Sequence, residues 1–158
     1  MDAAVKQSLS LMSEHDELDQ LFEEHQRALL TRDLDVALAM ITVFEKALDR
    51  HMEYENEVLL PLYAAKKAET EGATLPIFRS EHRKLREVCA NLAHSTAGLN
   101  SSSDVLTSIL KLLDEEAFFK GLFRHHAQRE ENLLFPRLDA YTNEWERERA
   151  LEKHGTLL

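Results

Sequence analysis

The chain has 158 residues and a formal net charge of −10 at pH 7, with only 4 glycines and 3 prolines. Its length predicts one domain with a single core, and its acidic balance argues against binding to nucleic acid or to an anionic membrane. The lone cysteine, Cys89, excludes an intramolecular disulfide, and no apolar run is long enough for a signal peptide or a membrane span, so we expect a cytoplasmic protein.

Apolar residues recur at three- and four-residue intervals along most of the chain, and no segment alternates with period two. This pattern is typical of amphipathic helices and predicts an all-α protein. Short links favour an up-down-up-down four-helix bundle over residues of about 8–140, within a single domain covering residues 1–158. The predicted helices cover about 8–30, 34–67, 74–97 and 104–140, and a short extra helix at about 143–153 follows.

Three residues mark where these helices begin or deform. Asp33 precedes the second helix and is its expected N-cap, because a carboxylate there can accept from the free N–H groups of the first turn. Pro61 and Pro136 lie inside the second and fourth helices. Since proline lacks an N–H donor and its ring clashes with the preceding turn, both sites are expected to be kinked or irregular.

Two pairs of sequence motifs repeat along the chain. The stretches His51–Pro61 and His126–Pro136 both read H-x-x-x-E, then two residues, three large apolar residues and a proline. Ser13–Leu18 and Ser80–Leu85 both read S-E-H-x-x-L. The chain therefore carries two unlike helices, each used twice, in the order His, His-x-x-x-Glu, His, His-x-x-x-Glu.

Six polar residues of these motifs fall on the apolar stripes of their helices. A buried carboxylate is costly unless it is paired or bound to a metal, and residues four apart share one helix face. Imidazole and carboxylate together suit iron, manganese or zinc. A single H-x-x-x-E is usually an exposed pair, but the double repeat favours metal binding. The predicted ligands are His15, His51, Glu55, His82, His126 and Glu130.

The ligands can be divided between two ions. A carboxylate can bridge two metals, whereas an imidazole usually binds one, so Glu55 and Glu130 are predicted as bridges. By symmetry, His15 and His51 would serve one ion, and His82 and His126 the other. The Glu-x-x-His spacing of ferritin-like di-iron bundles is missing.

The order of these motifs over about residues 11–138 resembles the hemerythrin-like, or HHE cation-binding, family. The resemblance implies a four-helix bundle that holds two iron ions in a non-haem di-iron site with an oxo or hydroxo bridge; zinc or manganese remains an alternative. One departure is that the extra histidine expected one turn after His82 is replaced by Arg86. The site is therefore one histidine short, and Asp19, Glu81 or water are the candidates for the open position.

Three functions follow from the resemblance. The favoured one is a protein that senses, binds or responds to O2, NO or cellular iron and redox state. The second is a di-iron oxidoreductase acting on peroxide or NO, or repairing iron centres. The third is a bundle with purely structural metals. Whether the chain is an enzyme, which small ligand it takes and its oligomeric state stay open.

Outside the motifs, the sequence predicts one further polar contact. His25 lies ten residues after His15, and Glu116 lies ten residues before His126. On adjacent antiparallel helices both steps move about 15 Å in the same direction. A buried or half-buried His25–Glu116 hydrogen bond is therefore expected. His154, near the chain's end, is expected to face solvent.

Overall fold

The computed structural model describes residues 8–157, with side chains described to residue 155. These residues form helices and no strand beyond an isolated bridge between Thr70 and Ala73, which confirms the all-α prediction. None of the described helices combines the length and apolar character needed to cross a lipid bilayer. The helices are α1 Met12–Leu30, α2 Leu34–Tyr54, α3 Leu60–Ala65, α4 Leu75–Ala97, α5 Val105–Arg129, α6 Phe135–Tyr141 and α7 Glu144–Leu157.

Four long helices carry the fold. Helix α1 packs along α2, α2 along α4, and α4 along α5, whereas the backbones of α1 and α5 come close at fewer positions and are joined mainly by large side chains. Helix α7 lies against α2 and the segment that follows it. A cavity lined mostly by residues of α1 and α5 lies on the side of the structure formed by these two helices.

The side chains of two aspartates cap the N-termini of two of these helices. The Asp33 side chain accepts a hydrogen bond from the N–H of Val36, so its predicted role as N-cap of α2 is confirmed. Asp104 caps α5 in the same way through the N–H of Thr107. Gly72 has φ +77° in the connection before α4, a left-handed conformation that a residue without Cβ adopts at little cost.

The irregular turns predicted at the two prolines are π-helical. Residues Glu55–Leu59 separate α2 from α3, and residues Glu130–Leu134 separate α5 from α6. Each π-helical turn is closed by a hydrogen bond to the carbonyl of its glutamate, from the N–H of Leu60 and of Phe135 respectively. The wider turn relieves the clash that a proline ring would cause in a regular α-helix. The two repeats therefore share their backbone deformation as well as their sequence.

The buried side chains form two apolar clusters. One contains Phe22, Phe44 and Phe119 and fills the part of the fold between the α1–α2 turn and the middle of the helices. The other contains Tyr54, Phe78 and other residues near the π-helical turns and α7. A layer of buried histidines and glutamates lies between the clusters and forms the candidate site.

Candidate metal centre

Each H-x-x-x-E motif places a histidine and a glutamate where a regular helix becomes π-helical. His51 Nε2 lies 3.0 Å from Glu55 Oε1, and His126 Nε2 lies 3.3 Å from Glu130 Oε1. Both glutamates are fully buried, and both histidines are nearly so. One-turn spacing therefore brings each pair together, as the motif predicts.

The remaining two histidines reach the same layer from α1 and α4. His15 Nε2 lies 3.0 Å from Glu130 Oε1, and His82 Nε2 lies 3.4 Å from Glu55 Oε1 and 3.7 Å from Glu130 Oε2. The ring of His15 also packs between Phe123 and Phe135, one from each apolar cluster. All six residues singled out by the sequence thus meet in one buried place.

Two overlapping sets of these side chains are close enough to hold a cation. Within each set, one ligand atom per residue lies within 4.8 Å of all the others. The histidines are divided as the repeat symmetry predicts, and Glu130 belongs to both sets, whereas Glu55 belongs to one. The sets are Glu55, His82, His126 and Glu130, and His15, His51 and Glu130.

The hydrogen bonding of this layer fits a metal better than an empty core. Among the described residues, seven buried side-chain nitrogen and oxygen atoms have no hydrogen-bond partner, and six of them lie here. Several come within 3.0–3.7 Å of one another, yet not in hydrogen-bonding geometry. Buried polar atoms are otherwise nearly always satisfied. A cation is bound by converging nitrogen and oxygen atoms whose lone pairs are free, as they are here. The six atoms are Nε2 of His51, His82 and His126, Oε1 and Oε2 of Glu55, and Oε2 of Glu130.

Each of the four histidines also makes a hydrogen bond through the ring nitrogen that faces away from the site. In each ring Nε2 is directed into the site and Nδ1 donates to an oxygen outside it, which fixes the tautomer and the ring orientation. Three of the outer partners are carboxylates and one is an amide. The Nδ1 contacts are His51–Glu14 at 2.6 Å, His126–Glu81 at 3.1 Å, His15–Glu131 at 2.9 Å and His82–Asn56 at 2.7 Å.

The sequence analysis did not predict these outer partners, although the repeats contain a signal for them. The glutamate of each S-E-H motif, Glu14 or Glu81, holds the histidine of an H-x-x-x-E motif on a neighbouring helix. The residue after each H-x-x-x-E motif, Asn56 or Glu131, holds the histidine of an S-E-H motif. The two halves thus exchange the same contacts, and the one difference is an amide at position 56 where the other half has a carboxylate.

The expectation that His154 faces solvent holds only in part, because its side chain is 26% exposed and its ring is engaged by other residues. Its Nε2 lies 2.5 Å from Glu14 Oε1, and its ring packs edge-on against Tyr54 at 4.5 Å between centroids. Because the second oxygen of Glu14 accepts from His51, helix α7 is joined to the candidate site through one carboxylate. The sequence motifs stop before α7 and could not indicate this contact.

The residues considered for the open position lie elsewhere. Glu81 is engaged behind His126, and it also accepts from Arg129 at 3.3 Å. Asp19 is exposed and is one of the residues that line a cavity beside the site. Arg86 is turned outward, where its Nε lies 2.9 Å from Asp49 Oδ1. None of the three side chains belongs to either set of converging atoms.

The buried charges shift the pKa values of the site in opposite directions. Burial alone would lower the pKa of His126, but the nearby charge of Glu130 and the hydrogen bond to Glu81 outweigh burial and raise that pKa to about 10. Burial alone would raise the pKa of Glu130, but His126 and His15 hold it well below its ordinary value. Imidazolium and carboxylate therefore stabilise each other, and a cation that binds here must displace protons.

The comparison with protein families agrees with the motifs. The family model described as the hemerythrin HHE cation binding domain matches residues 73–157, which is more than half of the chain. No match was found among curated proteins or among solved structures. The matched range includes His82, His126 and Glu130, and the internal repeats relate the first half of the site to this second half. The resemblance predicted from the sequence is confirmed, and the chain belongs to the hemerythrin HHE cation-binding domain family.

Proposed function

We propose that this protein is a non-haem di-iron protein whose centre binds a small ligand, O2 or NO, and responds to it or to cellular iron and redox state. The observation that supports it most directly is the set of six buried, unpartnered ligand atoms converging in one layer. A network of hydrogen bonds among these side chains would leave such atoms satisfied. Manganese or zinc would suit the same donors.

The proposed ligand set has two halves. His15 and His51 would hold one ion and His82 and His126 the other, with Glu55 and Glu130 as the proposed bridging carboxylates. The sharing of Glu130 between the two sets supports bridging for that residue, and the distance of 3.0 Å between Glu55 Oε1 and His51 Nε2 supports it for Glu55.

The surrounding fold would hold the two halves of the site together. We propose an up-down-up-down bundle within a single domain, supported by the packing of α1 on α2, α2 on α4 and α4 on α5. A turn of three residues, Thr31–Asp33, joins α1 to α2, which favours antiparallel neighbours. Buried apolar clusters on both sides of the site would exclude bulk water from it.

The chemistry would come from the ions, which when bound can exchange electrons and offer open coordination positions. The residues of the chain would hold and orient them: the Nδ1 contacts fix four imidazoles, and three outer carboxylates raise the basicity of three of them. Position 86, where the family pattern would have a further histidine, carries an arginine that is paired with Asp49 and turned outward. One coordination position of the metal would therefore stay open. A site with a free position favours ligand binding over a purely structural role.

A second candidate function is an oxidoreductase acting on peroxide or NO. It is favoured by a cavity that leads from the surface to His15, because such an opening would let a ligand enter and leave. Steady turnover of peroxide or NO by the iron-loaded protein would support this function. Binding of NO without turnover would support the sensing function instead. A cytoplasmic location would suit either, since the one thiol, Cys89, is buried and unpaired.

The deciding experiment is aerobic purification followed by metal analysis and an optical spectrum. Two irons per chain, with the charge-transfer bands of a bridged di-iron centre, are expected. A colourless, redox-silent protein carrying zinc with full stability would contradict the proposal and support structural metals. The variant His94→Ala, which changes an exposed histidine outside the site, serves as the matched control for ligand variants.

A further inference from the structure

A cavity of about 860 Å³ lies between α1 and α5, above the side chains through which these two helices touch. It runs from His15 at the metal-site end to Leu30 at the end of α1. The fifteen helical steps from His15 to Leu30 correspond to about 22 Å. The volume is within the range of pockets that bind small organic molecules, and it far exceeds what a diatomic ligand needs.

The floor of this cavity is aromatic. Four phenylalanines line it, each only 1–6% exposed, and their rings form one continuous group, with centroids 5.1 Å apart for Phe22 and Phe44 and 5.3 Å apart for Phe22 and Phe119. Phe123 continues the group at 6.3 Å from Phe119. A floor of this kind favours an apolar chain or ring lying along it.

Two cations at the rim have no carboxylate partner. Lys120 and Arg124 are one turn apart on α5, both exposed, and neither forms an ion pair within 4.0 Å among the described residues. Lys120 makes only a long contact, 3.4 Å, with the amide oxygen of Gln26. Two like charges one turn apart repel each other, so an anion between them would be stabilised.

The lining contains four acids, Asp16, Asp19, Glu23 and Glu131, and none of them forms an ion pair with Lys120 or Arg124. Glu23 is paired with Arg27, and Glu131 is bonded to His15. Asp19 faces the two cations from α1, close enough that they lower its pKa against the larger raising effect of burial, yet it makes no direct ion pair with them. Lysine and arginine side chains are long enough to lean over the cavity, whereas an aspartate remains close to its helix.

We propose that the cavity between α1 and α5 binds an amphipathic monocarboxylate, with its carboxylate between Lys120 and Arg124 and its apolar tail on the phenylalanine floor. This site is distinct from the proposed metal ligands except that its end is formed by His15. The proposal does not depend on which metal is bound, because binding is measured directly. It predicts a second, organic ligand for the protein, beyond the small ligand of the metal centre.

The first test is isothermal titration calorimetry of the metal-loaded chain of 158 residues with dodecanoate. Saturable binding at one site per chain is expected. Dodecanol and dodecyltrimethylammonium, which keep the tail but lose or invert the charge, should bind about tenfold more weakly or worse. Acetate, which lacks the tail, should not bind. Equal affinity for dodecanoate and dodecanol would overturn the proposal, as would the lack of saturable binding.

The second test uses variants that are expected to change the affinity for dodecanoate in opposite directions. Lys120→Gln and Arg124→Gln should each weaken dodecanoate binding about tenfold, whereas Lys111→Gln, an exposed lysine on the same helix outside the cavity lining, should not change it. Asp19→Asn should tighten binding, because it removes the carboxylate that competes for the two cations. Unchanged affinity in all three cavity variants would overturn the proposal. All three positions are exposed, so circular dichroism and metal content should match the parent chain.

Discussion

His25 Nε2 lies 2.6 Å from Glu116 Oε2, and neither side chain is exposed to solvent. The other ring nitrogen, Nδ1, donates to the carbonyl of Ala37 at 2.7 Å, and Gln26 donates to the second oxygen of Glu116 at 3.1 Å. Because Nδ1 must carry a proton for this bond, a further proton is shared between Nε2 and the carboxylate. The pair is a closed polar network inside an apolar cluster, ten residues along each helix from the metal-site histidines.

The first prediction concerns this pair. Glu116→Ala should lower the free energy of unfolding by about 1–3 kcal/mol, because it leaves a buried imidazole nitrogen without a partner. The measurement is urea unfolding followed by circular dichroism, with metal analysis of the folded variant. Metal content should be unchanged, since Glu116 belongs to neither set of converging ligand atoms.

The neighbouring residue provides the control for that experiment. Glu115 is exposed on the same helix, so Glu115→Ala should change stability by less than about 0.5 kcal/mol. An equal loss of stability in both variants would mean that helix propensity, and not the buried hydrogen bond, causes the effect.

The His25–Glu116 contact was predictable because helical periodicity fixes both the face and the axial level of a residue. Local residue chemistry, namely the capping ability of aspartate and the missing N–H of proline, located the cap at Asp33 and the deformed turns before Pro61 and Pro136. Periodicity alone did not identify these turns as π-helical, because a proline is compatible with a kink or with a wider turn.

The outer partners of the histidines were not predicted, for a different physical reason. Glu14 and Glu131 lie on the flanks of their helices, where contact depends on the rotation and crossing angle of the neighbouring helix. A one-dimensional pattern distinguishes the core face from the outer face but not one flank from the other. His154 is a similar case, since its partner lies on α1, far away in sequence.

The second prediction tests the proposed ligands. His51→Ala or His126→Ala should remove one of the two metal ions, as measured by metal analysis after gel filtration. Each variant leaves Glu55 or Glu130 poorly compensated in the core, so the free energy of unfolding should also fall by about 3–5 kcal/mol. His94→Ala is the control, and unchanged metal content in both ligand variants would refute the assignment.

The third prediction concerns Cys89. Burial, with help from Glu45, Asp49 and Glu116, raises the pKa of this thiol from 9.0 to about 12. The native thiol should therefore resist alkylation by iodoacetamide at pH 8, whereas the urea-unfolded chain should react rapidly. Rapid reaction of the native protein would show that the thiol is accessible and able to take part in redox chemistry.

The same shift gives a sign for the pH dependence of stability. The unfolded thiol loses its proton near pH 9 while the folded one retains it up to about pH 12. The folded state then binds more protons, so this group should lower the free energy of unfolding progressively as pH rises from about 9 to about 12. Below pH 9 it should make no contribution. Cys89→Ala should remove this alkaline loss, which urea unfolding between pH 8 and pH 11 would measure.

The last prediction concerns Glu14, which holds His51 with one oxygen at 2.6 Å and His154 with the other at 2.5 Å. Burial would raise the pKa of this carboxyl, but the two histidines outweigh it and lower the pKa, so the group acts as a carboxylate. Glu14→Gln keeps the shape and removes the charge. Since outer partners orient metal-binding imidazoles and raise their basicity, metal affinity should fall about 10–100-fold in competition with a chelator.

The loss of charge should also affect α7, because His154 contributes a contact from that helix to this part of the fold. Amide hydrogen exchange within α7 should therefore become faster in Glu14→Gln, while exchange in α4 should not change. Glu17→Gln is the matched control, being an exposed glutamate one turn further along α1. Faster exchange in α7 with unchanged metal affinity would mean that Glu14 serves only to dock the helix. A fall in both would mean that the position of α7 and the strength of the metal site are coupled through a single carboxylate.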